Sequence, residues 1–253
     1  MANPNGSGPN TNGRGRRRRQ PRLRRPNLLT TIILVLPLLV FYELGALLTH
    51  SLNGVDLVTR SLLRWLGSAG FILLQVSLLL SLLVMVFYLW RGQRLTARPL
   101  LAVLAESALY ALTMGTFIVF VVVDLLGVNP LQSTGGAPAG SGFSVMGALV
   151  VSAGAGVHEE LVFRAGLLGG LRLALQRWGG LRGWLAASAA VLVSSLIFAA
   201  AHHPELLQGE VSVYPLIYRT LAGGFFAAIY LLRGFATAVY THAIYDAYVL
   251  LLA

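Results

Sequence analysis

Residues 158–166 read His-Glu-Glu-Leu-Val-Phe-Arg-Ala-Gly, putting two carboxylates and a guanidinium inside a segment otherwise apolar enough to lie in a bilayer. An ionisable group within a membrane span is costly and points to function. Glu160 and Arg164 stand four apart. They share a helical face and can pair within one helix. Glu159 is turned about 100° from Glu160, so it can face a cavity while its neighbour satisfies the arginine. A carboxylate so placed, with water beside it, suits a general base.

Two other apolar segments carry imidazoles. Phe-Ala-Ala-Ala-His-His sets Phe198 four residues before His202, and His-Ala-Ile-Tyr-Asp sets His242 four before Asp246. Three antiparallel helices could aim Glu159, His202, His242 and Asp246 at one point. Such a set could activate water for hydrolysis, or Glu159, His202 and His242 could hold zinc beside an open position. There is no His-Glu-x-x-His, which favours the first chemistry. A serine nucleophile is disfavoured: Ser194 and Ser195 lie two turns below His202 without an elbow motif. The plainer reading of the charged cluster is a Glu–Arg pair that packs helices without chemistry. His203 and His158 point away from their neighbours and are expected at helix contacts, and His50 in a loop. Phe198 is expected to support His202, and Tyr218 and Arg219 could approach from the sixth span.

The elements that would carry these residues are membrane helices. The chain has 253 residues, 56% hydrophobic and 11% charged, with mean hydropathy +0.73. A soluble domain carries about 25% charged residues. Apolar runs long enough to span a bilayer fall at 28–49, 68–90, 99–126, 143–176, 183–203, 213–232 and 234–252. The expected fold is therefore all-α, a multi-pass transmembrane bundle of about seven spans over 28–253, with the motif core at about 143–252. Cysteine is absent, which excludes disulfides, thiolate metal sites and a cysteine nucleophile.

Residues 1–27 form an arginine-rich arm, expected to be disordered. Eight of the nineteen basic residues (Arg14, Arg16, Arg17, Arg18, Arg19, Arg22, Arg24 and Arg25) lie there without an acid. Because this run directly precedes an apolar span, anionic lipid rather than nucleic acid is its expected partner. Arg91, Arg94, Arg98, Arg172, Arg177, Arg182 and Arg233 fall at the same end as the arm; the opposite loops hold only Arg60 and Arg64. By the positive-inside rule the N-terminus is cytoplasmic. At 1.5 Å per residue, Glu159 lies ~26 Å and His202 ~29 Å from the arginine-bearing end. His242 comes out only ~12 Å and Asp246 ~18 Å from it. Helix tilt, or a buried start to the last helix, would be needed to bring them level.

Glu-Glu-x-x-x-Arg, Phe-x-x-x-His and His-x-x-x-Asp, in that order on separate hydrophobic helices, resemble the CAAX protease and bacteriocin-processing (CPBP, Abi) family of intramembrane endopeptidases, related to the type II CAAX prenyl endopeptidase. The resemblance covers roughly 145–250. It implies that Glu159 activates water with His202, that Glu160 and Arg164 brace the helix, and that His242 and Asp246 stabilise the oxyanion. The CAAX-trimming branch carries Asn where this chain has Asp246. A neutral aspartic acid in a dry site could still donate a hydrogen bond; an ionised one would instead orient His242 or ligate a metal.

The function expected is peptide-bond hydrolysis by a glutamate/histidine-activated water, without a certain cofactor and with zinc as the alternative. The substrate is a peptide or membrane-associated protein. The compositional bias towards arginine suggests a bacterial plasma membrane. The rivals are a non-catalytic immunity or scaffold protein that keeps the motif as a structural knot, and a proton-coupled transporter, whose usual internal symmetry is not visible.

Overall fold

The computed structural model describes residues 25–49, 57–92, 96–128, 144–203, 206, 209 and 212–252. Most of the arginine arm, His50, Arg94 and Pro204 lie outside the described residues. All regular structure among the described residues is helical: α1 (Leu28–Thr49), α2 (Leu57–Gly92), α3 (Ala97–Val119), α4 (Val145–Gly154), α5 (Gly169–Arg177), α6 (Gly183–Ala201), α7 (Val213–Arg233) and α8 (Phe235–Leu252). A π turn, Phe120–Leu125, prolongs α3, and a π-helical segment, Ala155–Leu168, joins α4 to α5 in one rod. Among the described residues, seven stretches are long and apolar enough to cross a membrane, the rod Val145–Arg177 counting as one.

The chain marks several of these boundaries chemically. Ser144 caps α4 by accepting from the Gly147 N–H at 3.1 Å. Gly67 sits at φ +67° inside α2 and breaks it, as only glycine does cheaply; the second piece therefore begins where the sequence placed the span. Gly234, at φ +99°, turns the chain from α7 into α8 in a single residue.

α8 is the axis of the bundle, packing against α3, α4, the π segment, α7 and α1. Its first turn is enclosed, with Ala236, Thr237, Ala238 and Val239 no more than 1% exposed.

The rod departs most from expectation. Residues 155–168 wind with i→i+5 bonding rather than as a regular α-helix. π turns are rare and recur at functional sites. More residues per turn narrows the angular step between neighbours and lowers the rise per residue. Glu159 is thus less deep than an α-helical count gives, and less separated from Glu160.

Candidate active site

Three elements bring the site together. The π segment supplies Glu159, Glu160 and Arg164; the end of α6 supplies Phe198 and His202; α8 supplies His242 and Asp246. Small residues let them meet, as they commonly do between membrane helices. A Cβ on Gly156 would come within 2.7 Å of the Val239 carbonyl on α8, and one on Gly223 within 3.1 Å of the Ser195 Cα. Both glycines therefore mark places where backbones touch.

Glu159 Oε2 lies 3.4 Å from His202 Nε2 and 3.8 Å from His242 Nε2. His202 follows the last residue of α6 as its C-cap. Its Nδ1 is 2.8 Å from the Phe198 carbonyl oxygen. A carbonyl only accepts, so Nδ1 carries the proton and a neutral His202 presents a bare Nε2 to the carboxylate. Two acceptors then face each other across 3.4 Å. A water molecule, with two protons to give, would reconcile them.

His242 is held from both sides. Its Nδ1 donates to Glu160 Oε1 at 2.8 Å, and its Nε2 lies 3.5 Å from Asp246 Oδ2. The Phe226 ring stacks on the imidazole at 4.3 Å and 15°. Glu160 Oε2 pairs with Arg164 Nε at 3.3 Å, the ion pair expected from the spacing. The expectation that Glu159 and Glu160 serve separate faces is corrected: both carboxylates reach His242, because π winding turns them closer together. Glu160 braces the helix and also orients a site histidine.

Arg164 is 1% exposed, the largest fully buried side chain described. Its NH2 donates to the Gly223 carbonyl at 3.2 Å, and its guanidinium lies 4.4 Å from the Phe198 ring centre and 5.4 Å from that of Phe226. Cation–π contacts of this kind are worth about 2 kcal/mol when desolvated. Phe198 also meets the His202 ring at 4.6 Å and Phe163 edge-on at 5.2 Å. Aromatic walls thus enclose the cluster and hold its side chains in place.

The remaining polar residues resolve as follows. His158 contacts α1, with Glu43 at 3.7 Å and the Tyr42 ring at 4.9 Å. His203 is buried and 2.9 Å from Arg219. Tyr218 bonds Tyr245, the neighbour of Asp246. Ser194 and Ser195 donate back to the Val191 carbonyl, at 3.2 and 2.7 Å, which occupies their hydroxyls within the helix. Phe226 and the close approaches at Gly156 and Gly223 escaped the sequence reading. Phe226 carries no signal in an apolar helix, whereas the glycines could have been singled out as small residues at helix contacts.

Two imidazoles and a carboxylate are donors that zinc accepts, and ligand atoms of one tetrahedral ion stand roughly 3.4 Å apart for bonds of about 2.1 Å. The Glu159–His202 separation of 3.4 Å meets this and the Glu159–His242 separation of 3.8 Å overshoots it. Among the described residues no group of three is arranged to hold an ion.

Residues 141–248 match the family described as Rce1-like, type II CAAX prenyl endopeptidase Rce1-like. The match covers less than half of the chain and contains every residue of the cluster. No curated protein and no solved structure matches. The chain thus carries an Rce1-like domain, consistent with the CPBP family of proteases. The protease match and seven span-like helices agree with an integral membrane protein.

Proposed function

We propose that the Rce1-like domain is an intramembrane endopeptidase that hydrolyses a peptide bond with a water held between Glu159 and His202. The observation that carries this is the 3.4 Å approach of Glu159 Oε2 to His202 Nε2 while His202 Nδ1 is committed to the Phe198 carbonyl. That arrangement leaves two proton acceptors aimed at one small volume.

In the reaction, water oxygen attacks the carbonyl carbon as one water proton passes to Glu159. The carbonyl π electrons move onto oxygen. His242, as an imidazolium among Glu159, Glu160 and Asp246, carries a proton on each nitrogen: Nδ1 donates to Glu160 and Nε2 can donate to that oxyanion, as electrostatic stabilisation requires. Collapse breaks the C–N bond, and the proton on Glu159 transfers to the leaving amine. His202 receives the water's second hydrogen bond and aligns it. Asp246, 3.5 Å from His242 Nε2, suits orienting and balancing that imidazole better than contacting the oxyanion itself. This follows the ionised reading of its carboxylate. Phe198 and Arg164 position rather than react.

The substrate is a peptide or a membrane-associated protein. The arginine distribution supports an N-terminus on the cytoplasmic side, and the use of arginine for every basic residue supports a bacterial plasma membrane as the setting.

Proteolysis by purified protein in liposomes tests the reading. Glu159→Gln and His202→Ala should each lower cleavage by ~10²–10⁴-fold, the usual contribution of a positioned acid–base group, without loss of fold. Cleavage should withstand a chelator, and the active preparation should hold less than one zinc per chain. Wild-type levels of cleavage in Glu159→Gln would remove the mechanism. Absence of cleavage across a peptide library would favour the immunity or scaffold role instead.

A further inference from the structure

A cavity of about 400 Å³ lies at the arginine-bearing end of the bundle, and none of Glu159, His202, His242 and Asp246 lines it. It opens where the chain enters α1, where α5 ends and where α7 turns into α8. Arg25, Arg172, Gln176 and Tyr230 supply its polar lining, and among the described residues no acidic one lines it. Arg25 is docked there, its NH2 donating to the Leu231 carbonyl near the end of α7. Arg172 has no hydrogen bond or ion pair among the described residues. Two guanidinium groups thus share one cleft without a counter-charge among the described residues, an arrangement that an anion would relieve.

Its depth narrows the ligand. Trp90, Trp178 and Trp184 are 65%, 83% and 65% exposed and sit at the ends of α2, α5 and α6 that share this side. Exposed tryptophans gather at the membrane–water interface. Leu168, Leu173 and Phe235 provide an apolar wall beside the guanidinium groups, and Leu173 is 61% exposed towards the surroundings. A basic pocket between helices at headgroup level, continuous with an apolar wall, suits a phosphate that carries hydrocarbon.

We propose that this cleft binds a phosphate-bearing anion through Arg172 and Arg25, with a lipid headgroup and a free phosphate as its two sources. The site is independent of the peptidase reading and survives its failure. Gly169 keeps the cleft open: a Cβ there makes only ordinary contacts, at 3.5 Å with the Arg164 carbonyl and 3.9 Å with the Tyr230 hydroxyl. A larger side chain would therefore extend into the space without breaking the rod.

The test is thermal unfolding of the full chain in neutral detergent, titrated with phosphatidylglycerol, phosphatidylcholine or inorganic phosphate. Phosphatidylglycerol should raise Tm in wild type and in Arg177→Gln, a control whose side chain does not line the cleft. The apparent affinity should fall about fivefold in Arg172→Gln, the effect of one arginine near a charged surface. Gly169→Leu, which keeps every charge, should abolish the shift, and it decides the question if Arg172→Gln fails to fold. Protection by phosphatidylglycerol alone identifies a lipid headgroup, and equal protection by inorganic phosphate identifies a soluble anion. Equal protection by phosphatidylcholine, or protection undiminished in Gly169→Leu, would overturn the proposal.

Discussion

His242 is the residue on which three carboxylates converge: Glu160 at Nδ1, and Glu159 and Asp246 at Nε2. One guanidinium, Arg164, faces the opposite oxygen of Glu160. The pair therefore does two jobs that mutation can separate. Arg164→Met leaves Glu160 buried without its cation, and losing one partner of a buried pair costs about 3–5 kcal/mol. Thermal unfolding should show that loss. Adding Glu160→Leu should restore much of the stability, because two apolar groups no longer strand a charge. Cleavage should stay low in the double variant, since His242 has lost the acceptor that orients it. Recovery of both stability and cleavage would mean that Glu160 serves packing alone.

At the scale of elements, the site depends on how closely the π segment approaches α8. Gly156 is where the two backbones touch, and a methyl there would lie 2.7 Å from the Val239 carbonyl. Gly156→Ala should push the helices apart by a fraction of an ångström and move Glu159 and Glu160 relative to His242. A misplacement near 1 Å can cost about 100-fold in rate, so kcat should fall by ~10–100-fold with the chain still folded. Gly166→Ala is the control, its Cβ meeting only a carbonyl of its own segment at 3.4 Å. Equal activity in the two variants would show that helix proximity does not set the geometry.

For the whole molecule, an ion pair and a hydrogen bond between helices tie the arginine-bearing end together. Arg233 donates to Glu106 through Nε at 2.8 Å and through NH2 at 2.5 Å, tying α7 to α3. Ser107 donates to the Thr237 carbonyl at 3.2 Å, joining α3 to the enclosed start of α8. Because the chain has no cysteine, single introduced thiols report topology without background. Arg177→Cys, in intact cells, should resist a membrane-impermeant maleimide, whereas Gly127→Cys at the opposite end should react. The reverse pattern would invert the orientation assigned from the arginines.

Much of this was legible in the sequence because it depends on local rules. Seven apolar runs of bilayer length predict seven spans, since backbone groups in hydrocarbon must bond within their own segment. Helical spacing alone paired Glu160 with Arg164 and set Phe198 beneath His202. Tertiary structure decided how those helices meet. The π winding of residues 155–168 has no signature in spacing, because it trades local hydrogen-bond geometry against packing on α6 and α8. Along it both Glu159 and Glu160 come within reach of His242. The enclosed first turn of α8 likewise depends on neighbours far along the chain. Phe226, one apolar residue among many in α7, became part of the site only when Gly223 let that helix close on α6.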